Sequence, residues 1–143
     1  MKTAVELARV LLVDDDPASR LTLQTVLRAG GYSVDSAASA AEAVNKLDQQ
    51  EYELVLSDLR MESPEAGYRV IAHARTMDYR PATAIFTAAY ESTNGSDNLK
   101  PASSMLIETE DVPGLLDRVA HLIGNRASRR VTRRLRMAAA QVA

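Results

Sequence analysis

The stretch Val10-Leu11-Leu12-Val13-Asp14-Asp15-Asp16-Pro17 decides the fold. Four aliphatic residues in succession fit a short strand buried on both faces, as strands inside a parallel sheet are. The run breaks off abruptly into three acids. Asp16-Pro17 reads as a helix start, because an aspartate at the N-cap accepts an orphan amide hydrogen and proline gives up nothing at the first helical position. Leu23, Val26 and Leu27 supply the apolar stripe of that helix, and Gly30-Gly31 ends it. Asp14 and Asp15 are left without a capping role.

Outward from this unit the pattern repeats. Tyr32 to Ser36 reads as a second strand, and Ser39 with Glu42 forms a capping box ahead of Val44 and Leu47. Glu53 to Ser57 is another apolar run that ends at an acid, Asp58, and a helical pattern follows through Val70, Ile71 and Ala74. Thr83 to Thr87 gives a fourth strand and Met105 to Ile107 a fifth. Leu115, Leu116, Val119, Leu122 and Ile123 then have the spacing of a final amphipathic helix. The helix expected between the last two strands is weak or irregular, since Glu91 to Asn98 consists of turn formers without an apolar stripe.

Strands alternating with helices imply right-handed crossovers between parallel strands. The expected fold is therefore α/β, a doubly wound five-stranded parallel sheet with helices on both faces. In such sheets sites form beyond the carboxyl ends of the strands. Asp14 and Asp15 end the first strand, Asp58 the third and Thr87 the fourth, so residues distant in sequence should meet at one edge. Carboxylates gathered there repel one another unless a cation neutralises them. Magnesium suits the position, because it takes hard oxygen ligands and keeps waters that a phosphoryl oxygen can replace. A carboxylate touching that metal can attack phosphorus.

Other classes are excluded by composition. The 143 residues include no cysteine, so disulfides, thiolate metal sites and cysteine nucleophiles are out. The longest aliphatic run falls far short of a membrane span, and a cytoplasmic location is expected. His73 and His121 fall on different predicted helices and form no metal spacing; both are expected at the surface. The net charge of −2 conceals an asymmetry: residues 1 to 125 carry all 19 acids against 11 Lys and Arg, a net of −8, whereas six arginines and no acid follow. The organisation read from this is an N-terminal extension over 1–8, a domain over 9–124 and a basic tail over 125–143.

The segments Val10 to Pro17, Leu54-Val55-Leu56-Ser57-Asp58-Leu59-Arg60-Met61 and Phe86-Thr87-Ala88 together resemble a response-regulator receiver domain over about residues 9 to 123. The resemblance implies a flavodoxin-like fold and a phospho-switch of two-component signal transduction rather than an enzyme. Asp58 is then the phosphoacceptor, supplied by a histidine kinase or phosphotransfer protein. Magnesium is held by Asp15, Asp58 and the backbone carbonyl of Arg60, with Asp14 acting through water. Thr87 is the switch residue whose hydroxyl meets the phosphoryl group.

The family also has a lysine, usually followed by proline, at the end of the fifth strand. Counting back from Leu115-Leu116-Asp117-Arg118-Val119 places Glu108-Thr109 there, whereas the motif alone would select Lys100-Pro101. Glu108 is favoured, because choosing Lys100 orphans the strand-like Met105-Leu106-Ile107. Met105 stands where many members carry an aromatic partner for the threonine, and the segment between Asp58 and Gly67 is one residue longer than usual.

Beyond Gly124-Asn125, read as a helix stop, Val131, Leu135 and Ala138 recur at helical spacing among the arginines. A solvated extension and a docking or dimerising helix are both open readings, so a homodimer is allowed. Nucleic acid ranks last as a partner, for want of aromatic residues in the tail and because of the acidic body. Two rival functions stand beside the switch. One is a receiver-shaped binding module that no longer switches. The other follows from Asp14-x-Asp16, which also resembles the nucleophile motif of haloacid-dehalogenase-type phosphatases, although Pro17, the short chain and the lack of a later acidic motif weigh against it.

Overall fold

The computed structural model describes residues 8–59, 61, 63–87, 105–108 and 112–142. The chain runs β1 (Arg9–Val13), α1 (Pro17–Ala29), β2 (Ser33–Ala37), α2 (Ala40–Gln49), β3 (Leu54–Asp58), α3 (Ala66–Arg75), β4 (Ala82–Thr87), β5 (Met105–Glu108) and α4 (Val112–Val142). The strands form one parallel sheet in the order β2-β1-β3-β4-β5. The expected N-terminal extension and the helix expected between β4 and β5 fall largely or wholly outside the described residues.

Local signals explain the element ends. Asp16 caps α1 by accepting the Ser19 amide at 3.0 Å. Ser39 caps α2 by accepting the Glu42 amide, and the Glu42 carboxylate reaches back to accept the amide of Ala38, one residue before the cap, a variant of the capping box. Gly31 takes φ of 100°, a left-handed conformation that glycine adopts without a Cβ clash, and α1 ends beside it.

Alternation along each strand builds two cores. Val10 and Leu12 face α1 and α4, packing with Leu27, Phe86, Leu115 and Val119. Leu11 and Val13 face α2 and α3, packing with Leu47, Tyr52, Val70 and Ile71. All four β1 aliphatics are fully buried, each contributing roughly 1.5–3 kcal/mol by leaving water. That double burial is why the run carries no polar residue until the strand ends.

The expected helix stop at Gly124-Asn125 is corrected: α4 continues through it without a break to Val142. A glycine ends a helix by turning left-handed, and among the described residues only Gly31 and Arg80 have positive φ. Left helical, Gly124 costs about 1 kcal/mol relative to alanine, which the strong helix formers around it tolerate. One turn past Leu122, Arg126 also ties the helix to the body. Its guanidinium donates to the carbonyls of Arg80 at 2.9 Å and Tyr79 at 2.6 Å. Further out, Val131, Leu135 and Met137 are exposed.

Candidate functional site: an acidic corner at the carboxyl edge

Strand register builds the corner. Val13 pairs with Ser57, so the next residues along, Asp14 and Asp58, stand at neighbouring strand ends. The chain passes from β1 outward to β2 and then returns to β3 on the other side, so this is the point where the strand order reverses and a crevice opens. Asp14, Asp15 and Asp58 each offer a carboxylate oxygen here, all within 4.8 Å of one another. Asp14 is buried, Asp58 half-buried and Asp15 exposed.

Asp14 shows what the corner is suited to hold. Its Oδ1 accepts the Asp16 amide at 3.0 Å, a local turn that shapes the loop into α1. Its Oδ2 is buried and has no hydrogen-bond partner among the described residues. A buried carboxylate oxygen without a donor is costly, and two further carboxylates beside it raise the cost. A hydrated divalent cation removes both penalties, and an all-oxygen donor set of this charge matches magnesium. The residues present therefore fit the metal that the sequence pattern implies.

The surrounding loops are fixed by backbone contacts. The Arg20 guanidinium donates to the Asp14 carbonyl at 2.8 Å, tying α1 to the end of β1. The Leu59 amide donates to the Phe86 carbonyl at 3.0 Å, extending the β3–β4 ladder past Asp58. Gly67 lies so close to this turn that a Cβ there would sit 2.2 Å from the Asp58 carbonyl oxygen and 2.7 Å from that of Leu59. Only a glycine allows α3 to approach the strand end so closely.

Thr87 ends β4, and its backbone pairs in register with Glu108, the last residue of β5. Both thus lie at the same edge as the acids. Arg60, expected to offer its carbonyl, and Lys100, the alternative lysine, lie outside the described residues. Asp16 does not join the acid cluster, since its side chain is engaged in capping. Of the histidines, the Nε2 atom of half-buried His73 is 2.8 Å from Asp48, and His121 is exposed beside Asn125 at 3.1 Å.

Sequence reasoning missed Arg20 and Arg126, and treated Gly67 only as a landmark. An arginine four residues past an N-cap carries no distinctive signal. Arg126 had one, for it continues the Leu115, Val119, Leu122 spacing by one more turn. Burial foremost, then neighbouring Arg130, holds its guanidinium below the usual range. Burial likewise pushes the Tyr79 phenol up to about 12, with Asp48 and Glu51 adding to the effect.

Known proteins are similar to this chain in sequence and in fold. Transcriptional regulatory protein GlrR of Escherichia coli K12 is 38% identical over 81 residues, which are 57% of this chain but only 18% of that protein. The chain thus corresponds to a small part of a longer relative. A CheY-like receiver domain protein from Methanospirillum hungatei superposes with a TM-score of 0.73 at 22% identity, covering 87% of this chain and 99% of that one. Response regulator protein TrrA of Thermotoga maritima, solved in complex with Mg(2+)-BeF, gives a TM-score of 0.67 at 26% identity over 81% of this chain and 99% of that one. The family profile of the response regulator receiver domain matches residues 10–108, well over half of the chain and on both sides of the acidic corner, and this chain belongs to that family.

Proposed function

We propose that this receiver domain is a phospho-switch in which Asp58 accepts a phosphoryl group beside a magnesium site. The observation that carries the reading is the buried Oδ2 of Asp14, without a donor among the described residues, within a cluster of three carboxylates. Asp15, Asp58 and the backbone carbonyl of Arg60 would hold the metal, and Asp14 would act on it through water. When bound, magnesium neutralises the acids and the equatorial phosphoryl oxygens. An Asp58 carboxylate oxygen attacks phosphorus while the bond to a phosphohistidine nitrogen of a kinase or phosphotransfer protein breaks. The products are an acyl phosphate on Asp58 and a neutral imidazole on the donor. Thr87 then turns its hydroxyl to the new phosphoryl group, and the altered surface is read by a protein partner. The reading places the chain in the cytoplasm.

The register of Thr87 with Glu108 supports Glu108, not Lys100, as the occupant of the family's lysine position. An anion replaces a cation next to the phosphoryl group, which lowers the stability of the phosphorylated form. Asp16 is committed to capping α1 and is not free to serve as the acid of a phosphatase motif.

The test is backbone NMR with magnesium and acetyl phosphate or beryllium fluoride, with Asp58→Asn as control. Shifts that spread from Asp58 to Thr87, β5 and α4, absent in the control, are expected. Confinement to the Asp58 loop means phosphorylation without output, and no response at all favours a constant binding module. Glu108→Lys is expected to lengthen the lifetime of the phosphorylated form, whereas Lys100→Ala leaves it unchanged.

A further inference from the structure

Charge of the opposite sign gathers at the other end of the sheet. A cleft of about 730 Å³ lies between α4 and the α3–β4 connection. Arg126, Arg129, Arg130, Arg133 and Arg134 line it from the helix. Arg75 and Arg80 line it from the body, and Asp78 is the one carboxylate among its described lining residues. Positions three and four apart share a helix face, so the arginines form a single stripe between Leu122 and Met137, which also line the cleft.

Three features separate this cleft from an ordinary solvated basic face. Arg126 is buried, and its two bonds to successive carbonyls fix the stripe against the body. Arg80, on the facing wall, has a left-handed φ of 46°, unusual for a residue with a long side chain, and such strain collects at binding sites. Among the described residues no ion pair neutralises Arg129, Arg130, Arg133 or Arg134. Like charges three and four apart oppose the very helix that carries them. A bound counter-anion relieves that repulsion.

We propose that the cleft binds a small, multiply charged phosphate compound, about the size of a nucleotide polyphosphate. Guanidinium forks pair with phosphate oxygens two bonds at a time, and several of them converge here. The volume falls within the roughly 300–1,000 Å³ of small-molecule sites, and Leu122, Pro81 and Met137 offer apolar wall to an organic moiety. An extended nucleic acid fits less well. It would run past the cleft onto a body of net charge −8 through residue 125, whereas a compact anion stays among the arginines.

The experiment titrates the full chain with sodium tripolyphosphate, with orthophosphate and a short DNA duplex as comparators, and reads backbone NMR shifts and calorimetry. Expected is saturable tripolyphosphate binding that moves the amides of Tyr79, Arg80, Ala82 and Thr83 together with Leu122–Arg134 and leaves Asp14, Asp15 and Asp58 still. Orthophosphate should bind at least about tenfold more weakly, since it engages fewer forks. The double variant Arg130→Gln/Arg133→Gln, both exposed positions, should weaken tripolyphosphate by about tenfold or more, while Arg69→Gln on α3 changes nothing. Shifts confined to α4, without a response at Tyr79–Thr83, mean diffuse attraction and overturn the proposal. Saturable binding of duplex without tripolyphosphate binding overturns it in favour of a nucleic-acid surface. The wild-type shift map decides these outcomes even if a variant folds poorly.

Discussion

At the carboxyl edge of the sheet, Asp14 and Asp58 are neighbours because Val13 pairs with Ser57 inside a fully buried ladder. At the amino edge, the arginines that line the cleft from α4 meet the body, among the described residues, through Arg126, which rests on two loop carbonyls. Both regions crowd like charges, but they are held in place differently. The acids cannot separate without unpairing core strands, so the fold itself bears their repulsion. The arginines project from a single helix, and their repulsion is borne by one docking contact and by solvent. Crowding enforced by the core marks a site whose geometry is set before any ligand arrives; crowding along a helix marks one whose geometry depends on a local clasp.

The strongest way to break the comparison is at Gly67. Gly67→Ala places a Cβ against two backbone carbonyls that cannot swing aside, and a loss of about 3 kcal/mol is expected in urea denaturation, with weakened magnesium binding. Next comes the clasp. Arg126→Met keeps the helix and the apolar stem but removes the donors from the Tyr79 and Arg80 carbonyls, for an expected loss of about 2 kcal/mol. Arg130→Gln on the same stripe should stay within about 0.5 kcal/mol, and equal losses would show that Arg126 is no anchor.

Asp14→Asn removes one of the three crowded charges, and an expected gain of about 1 kcal/mol in magnesium-free buffer should vanish when magnesium is added to both proteins. A gain that persists in magnesium would mean the cation does not sit among these acids. The last effect is absent at neutral pH. Tyr79 releases its proton near 10 when unfolded but only near 12 when folded, so unfolding is favoured by ionisation as pH rises through that window. Burial raises Tyr32 and Tyr52 in the same direction. Stability should be flat up to about pH 10 and fall above it, and a Tyr79→Phe variant that loses stability as steeply as the wild type between pH 10 and 12 would contradict a contribution from Tyr79.

The α/β order and the acid corner were legible because each rests on residues that do one job visibly. A short all-aliphatic run admits little except a doubly buried strand, and acids at its end mark where the strand leaves the core. Asp16 was separable from Asp14 and Asp15 because capping is a local signal that Pro17 reinforces. Gly124 was misread for the complementary reason. A glycine marks a helix end only if its φ turns positive, and nothing in the neighbouring residues announces whether it will. Arg126 was passed over because a buried arginine satisfied by carbonyls looks, in sequence, like any member of a basic run. Its partners, Tyr79 and Arg80, are 47 and 46 residues away.

The unbroken course of α4 has one more consequence. Each residue turns a helix by about 100° and advances it about 1.5 Å, so from Arg126 to Val142 the helix extends by roughly 24 Å in a fixed rotational phase. Deleting one residue between Arg126 and Arg129 would leave composition and charge nearly untouched, yet it would swing every arginine beyond it a quarter-turn or more away from the body. What the cleft recognises is thus governed by angular alignment with Arg126, and the number of arginines matters only once that alignment is kept.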